Sequence, residues 1–149
     1  MEERIKKSIE KATRLLLKND LFLLSNNCDE WSISHKFAEY IQDSFPEWHV
    51  DVEYNRDRDQ IKTLENEIVR PDIIVHIRDT SFNHLVFEVK KSNQGAQEID
   101  EARQRLVSFT NQNGRYHYDL GIIVIFGVMN DVQLGAQFEF YQNGERILA

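Results

Sequence analysis

The run Leu-Gly-Ile-Ile-Val-Ile-Phe-Gly-Val over residues 120 to 128 constrains this chain more than any other segment. It is rich in β-branched residues and shows no alternation with polar ones. It is also far shorter than a membrane span. Continuous apolar character of this length marks a strand buried on both faces at the centre of a sheet. Both faces of such a sheet have to be covered, and the rest of the chain supplies the cover. Residues 2 to 24 carry Ile5, Ile9, Ala12, Leu16 and Leu17 at helical spacing between Lys, Arg and Glu, which predicts an amphipathic helix ended by Asn26-Asn27. A second helix is expected over 33 to 45, capped by Ser32 or Ser34, with Ile33, Phe37, Ile41 and Phe45 as its apolar stripe and Pro46 as its stop.

The period then changes. Trp48, Val50, Val52 and Tyr54 alternate with polar residues as in a half-buried strand. The polar stretch from Asn55 to Val69 has no clear period, and reads as a long exposed loop or a short irregular helix. Residues 73 to 77 and 85 to 89 are apolar runs joined by the turn-rich link 78 to 83, which predicts an antiparallel hairpin. A helix is expected over 95 to 112 through Ile99, Ala102, Leu106 and Phe109, with Ser92 and Asn93 upstream as caps and Asn113-Gly114 at its end. Short strands around 136 to 141 and 145 to 148 flank Gln142-Asn143-Gly144-Glu145. The fold class that follows is α/β, a mixed sheet flanked by helices. At 149 residues without an internal repeat or linker, the chain reads as one domain over 1 to 149.

Charge and cysteine content narrow the function. A net charge of -7 argues against a surface that coats nucleic acid, because non-specific affinity comes from Lys and Arg neutralising phosphates. A carboxylate cluster that holds divalent cations would add to such a balance, and a local basic strip is compatible with it. The single cysteine, Cys28, leaves neither an internal disulfide nor a Cys cluster for zinc. The N-terminal charges do not form a secretory signal, and no apolar run approaches membrane-spanning length. A cytoplasmic location without membrane association is the expectation.

Three charged residues occupy places where a purely structural sheet would not keep them. Asp72 opens the second strand, and Glu88 and Lys90 lie two apart on the third, so their side chains share one face while Val89 faces the other way. If the link near Thr80 and Ser81 is the turn, residue 72 falls opposite 88 to 90, and the three groups meet at one end of the hairpin. A half-buried Glu88 needs a partner, for which a metal or a Lys is the natural choice. Two carboxylates hold a hard cation such as Mg²⁺, which polarises a phosphate oxygen and lowers the pKa of a bound water. The Val89 carbonyl is placed to complete the coordination, and Lys90 to position the nucleophilic water, to stabilise transition-state charge or, perturbed by neighbouring cations, to act as base. The chemistry this pattern suits is phosphodiester hydrolysis.

Pro71-Asp72, a spacer, and Glu88-Val89-Lys90 resemble the signature of the PD-(D/E)XK nuclease superfamily, and the order of elements is similar to that of small bacterial or phage members over most of the chain. The resemblance implies a restriction-endonuclease-like fold and a Mg²⁺-dependent deoxyribonuclease, with Mn²⁺ substituting. It also implies a metal-binding role for Glu39, because members often carry a glutamate on the helix before the first core strand. His35, one turn before Glu39, and Arg56, Arg70, Arg78, Lys91 and Gln104 are candidate DNA contacts, with solvated surface charge as the alternative reading. The C-terminal hairpin ending in Glu-Arg-Ile-Leu-Ala offers an edge for a homodimer. The competing function is a nuclease-fold binding or assembly module without activity, favoured by the acidic charge and the lack of a decodable DNA-reading element. An RNA-directed hydrolase is a third reading.

Overall fold

The structure, a computed structural model, describes residues 1–58, 60–65 and 67–149. The amphipathic N-terminal segment forms α1 (Glu3–Asn19) and, after a break at Asp20, the short α2 (Leu21–Ser25). One continuous helix to residue 24 was the expectation. The break comes where the Asp20 N–H closes on the Leu16 carbonyl at 2.8 Å and the Asp20 carboxylate accepts from the Tyr40 hydroxyl. Helix α3 (Glu30–Ser44) starts three residues before the predicted boundary, because Asp29 is its cap: its carboxylate accepts from the Ser32 N–H at 2.9 Å. Ile33, Ser34, Phe37, Ala38 and Ile41 form the buried stripe of α3, and the helix ends ahead of Pro46.

Strand β1 (His49–Val52) leads into the segment expected to be loop or irregular helix. Instead it holds four two-residue strands: β2 (Arg56–Asp57) with β3 (Gln60–Ile61), and β4 (Thr63–Leu64) with β5 (Glu67–Ile68), each pair antiparallel. The hairpin of β6 (Ile73–His76) and β7 (Asn83–Lys91) follows as predicted, then α4 (Ala96–Thr110) and β8 (Leu120–Phe126). The N-cap position of α4 falls on Gly95 rather than on Ser92 or Asn93. A 3₁₀ helix (Met129–Leu134) that the pattern did not signal leads to β9 (Ala136–Gln142) and β10 (Glu145–Ile147). Asn143 and Gly144, both at positive φ of 50° and 77°, make the tight turn between these last strands, a conformation that favours an Asn-Gly pair.

The main sheet has six strands in the order β1-β6-β7-β8-β9-β10, antiparallel except for the β7–β8 pair, with the long apolar strand β8 near its centre. Odd-numbered residues of β7, Phe87 and Val89, pack with α1 and α3 in the larger core. Val86 on the opposite face packs with Ala102, Leu106 and Phe109 of α4. Helix α4 lies close on β8. A side-chain carbon at Gly121 would come within 3.0 Å of Thr110 Cγ2 and 3.3 Å of Leu106 Cδ2. This close seat fixes the helix over the face that carries Glu88 and Lys90. Among the described residues no helix is long and apolar enough to cross a membrane.

Candidate active site

Hairpin register builds the site. Ile73 pairs with Phe87, Ile74 with Val86 and Val75 with Leu85. One further step places Asp72 opposite Glu88, on one face of the sheet because cross-strand partners share a face. At this step the ladder gives way to a side chain: Asp72 Oδ2 accepts the Val89 N–H at 2.7 Å. Val89 thus meets the site through its amide, a contact compatible with the coordinating role expected of its carbonyl. Glu88 and Lys90 are both buried, at 2% and 7% exposure, so neither belongs to a solvated strand face.

Burial raises the Asp72 carboxyl well above the ordinary carboxylate range, and the neighbouring Glu88 charge adds to the rise against the lowering effect of the Val89 amide. The negative charge of Glu30 acts in the same direction on Asp72, and Glu30 and Glu88 both contribute to raising Glu53 after burial. Asp72 and Glu53 therefore both feel the charges of Glu30 and Glu88 at this end of the hairpin. Glu53 is held there by its backbone, whose N–H donates to the Asp72 carbonyl at 3.1 Å.

The cationic partners differ from those predicted. Glu88 is gripped by Arg105 of α4, whose Nε and terminal nitrogen donate to its two oxygens at 2.8 and 3.1 Å. Lys90 reaches Glu30 Oε1 at 3.3 Å. Glu39, the helix glutamate expected to help hold metal, lies elsewhere. It is exposed and pairs with His35 at 3.1 Å and Lys36 at 3.5 Å. The reason is helical geometry: at 3.6 residues per turn, positions 30 and 39 stand half a turn apart around α3 and about 13.5 Å apart along it. Glu30 extends the buried stripe through Ile33 and Phe37 by one turn, so the stripe itself was the signal for it. Arg105 borders the Ala102–Leu106 stripe of α4, and the demand of a buried Glu88 for a cation was the signal for that residue.

These groups line a cleft of about 610 Å³. Asp72, Glu88 and Lys90 form its floor, with Gln104 and Arg105 of α4 on one wall and Leu64, Glu65, Glu67 and Ile68 of the β4–β5 hairpin on another, continuing to Arg70. Of the predicted nucleic-acid contacts, Arg70 and Gln104 are therefore at the cleft. Arg56 is exposed and bonds to Asn55, and Lys91 bonds to Asn27 Oδ1 and the Cys28 carbonyl. His35 stays with Glu39, while Arg78 bonds to Asp51.

The β4–β5 wall is held by an aromatic anchor. Lys62, between β3 and β4, is buried with its ammonium 2.8 Å from the Tyr118 hydroxyl and 5.0, 5.3 and 5.9 Å from the ring centres of Tyr116, Tyr118 and Tyr54. Beside it, the Thr63 N–H donates to the Tyr116 hydroxyl, which in turn donates to the Thr63 carbonyl.

Among the described residues, no group of three or more His, Cys, Asp or Glu side chains stands ready to enclose a metal ion. The donors at the floor of the cleft are two neighbouring carboxylates, Asp72 and Glu88, without imidazole or thiolate. That donor set suits a hard cation such as Mg²⁺, which commonly takes one or two carboxylates and keeps several waters, and does not suit a zinc cage. Comparison of the chain with protein-family models and with curated proteins found no match.

Proposed function

We propose that this protein is a divalent-metal-dependent nuclease that hydrolyses DNA phosphodiester bonds at the cleft floored by Asp72, Glu88 and Lys90. One observation carries the reading: two carboxylates from neighbouring strands lie on one face, one of them pushed well above its ordinary range by burial and then by the charge of the other, with a buried lysine beside them. Such a pair is what a cation relieves. Asp72 and Glu88 would hold Mg²⁺ or Mn²⁺, and the cation when bound supplies charge to the phosphoryl oxygens and acidity to a water. Lys90 brings an ammonium to the same floor, where it offsets charge that builds on the phosphate in the transition state. Gln104 and Arg70 border the cleft and orient the strand through its backbone. A restriction-endonuclease-like identity and a cytoplasmic setting belong to the same proposal.

The test is cleavage of supercoiled, linear, branched and single-stranded DNA, with RNA as competitor, in Mg²⁺ or Mn²⁺. Lys90→Ala is expected to lower the rate by roughly 10²-fold or more, the usual cost of removing a transition-state charge partner, and chelator to abolish it. Cleavage indifferent to both would reject the reading, and preferential cleavage of RNA would redirect it to an RNA hydrolase.

A second reading is favoured by a specific observation. Glu88 and Lys90 already have internal partners in Arg105 and Glu30, as they would in a nuclease fold kept as a binding or assembly module. Thermal shift with Mn²⁺ separates the two. A stabilisation that Asp72→Asn removes favours the enzyme, and silence favours the module.

A further inference from the structure

We propose that Arg105 is the internal counter-ion of the cleft, holding the Glu88 carboxylate while no divalent cation is bound and competing with that cation for the same two oxygens. The inference rests on the metal reading above and assigns a role to a residue that the sequence pattern did not single out.

Three features carry it. First, both Glu88 oxygens are engaged by one guanidinium, in the two-pronged geometry that makes the strongest side-chain ion contact. Second, the two partners differ in freedom: the Glu88 side chain is 3% exposed, whereas that of Arg105 is 33% exposed and borders the open cleft. The guanidinium can swing into solvent without becoming a buried unpaired charge, and the carboxylate cannot. Third, the other contacts at the floor do not compete in this way. Lys90 turns its ammonium to Glu30, and the Val89 amide on Asp72 is compatible with a cation on the same carboxylate. A cation arriving at Glu88 therefore meets like charge from Arg105, and this contact has to be given up before Glu88 becomes a full ligand. Arg105 is accordingly a positioning residue: it keeps a buried carboxylate in place and sets the cation concentration at which the site fills.

The experiment measures Mn²⁺ affinity of the whole chain, by calorimetry and by loss of the free-Mn²⁺ electron paramagnetic resonance signal, in wild type, Arg105→Ala, Arg105→Lys and Arg70→Ala. Arg105→Ala is expected to bind Mn²⁺ about ten-fold more tightly, the change that corresponds to no longer breaking one charge-assisted contact. Its metal-free melting temperature should fall, and its Mn²⁺-saturated one should return toward wild type. Arg105→Lys keeps the charge without the fork and should fall between; it carries the test if the alanine variant does not fold. Arg70→Ala reports the loss of a cleft cation alone, and should change affinity by no more than about two-fold, since exposed charges are well screened in salt. Wild-type binding with equal or weaker binding in the Arg105 variants overturns the competition and leaves the metal reading standing, and equal tightening by Arg70→Ala overturns it in favour of a general charge effect. No Mn²⁺ binding in any variant overturns both.

Discussion

Lys62 is a lysine buried among aromatic rings, an environment unusual for its type. Burial pushes its amine down to about 8, opposed by the Asp57 charge and assisted by that of Arg115. The folded value lies below that of an unfolded chain, so between about 8 and 10.5 the unfolded state binds more protons, and stability rises with pH across that window. Lys62→Met should abolish this rise, as read from chemical denaturation of both proteins at pH 7.5 and 10, and NMR titration should find one lysine changing charge well before the rest. The same variant should expose the β4–β5 wall to proteolysis. Asp51 is perturbed in the opposite direction. Its burial raises the carboxyl, but hydrogen bonds from His76 and Arg78 outweigh this and hold it well below the usual range. That stability is present above the unfolded value, near 3.9, and disappears as acid takes the pH down through the folded one. At the site itself, Asp72, Glu88 and Lys90 were legible as single residues because strand alternation and hairpin arithmetic both point to one face. Glu30 and Arg105 were not singled out, since the apolar stripes mark only a helix face, and which charged residue beside a stripe meets Lys90 or Glu88 is decided by how the helices pack on the sheet.

At the scale of elements, α4 is the part on which the cleft depends most. Its seat on β8 requires the missing side chain at residue 121, where even a Cβ would press on Thr110 and Leu106. Gly121→Val should cost roughly 1–3 kcal/mol through overpacking, measured by urea denaturation, and lift the helix so that Arg105 loses its fork on Glu88. The long elements of the fold could be read in the sequence, including the order of helices and strands and the antiparallel pairing of β6 with β7, because each carries its own hydrophobic period. The start of α3 was misplaced by giving the cap to a serine when the aspartate before it was available. Segment 55 to 69 could not be read, because two-residue strands have no period. What organises them lies far along the chain, in Tyr116 and Tyr118.

For the molecule as a whole, the charge of -7 and the cleft work together. Three cations, Arg70, Lys90 and Arg105, line the cleft beside Glu65, Glu67, Glu101 and the two floor carboxylates. With each neutralised phosphate contributing about -0.9 to the slope of log affinity against log salt, duplex binding by the Lys90→Ala protein, which keeps only Arg70 and Arg105 at the cleft, should show a slope no steeper than about -2. Fluorescence anisotropy across a salt series measures it, and a markedly steeper slope would locate the nucleic-acid surface away from the cleft. The edge strand β10 is one route to a larger assembly, and sedimentation at high concentration decides whether two copies join.

The amide of Val89 spends its proton on the Asp72 carboxylate instead of on the neighbouring strand. Weave and chemistry therefore share one atom, and the second oxygen of that carboxylate is the one left to face a newcomer. An oxygen that already accepts an amide proton is the poorer partner, so a guest on Asp72 is expected to meet the other one first, a preference set by the sheet itself.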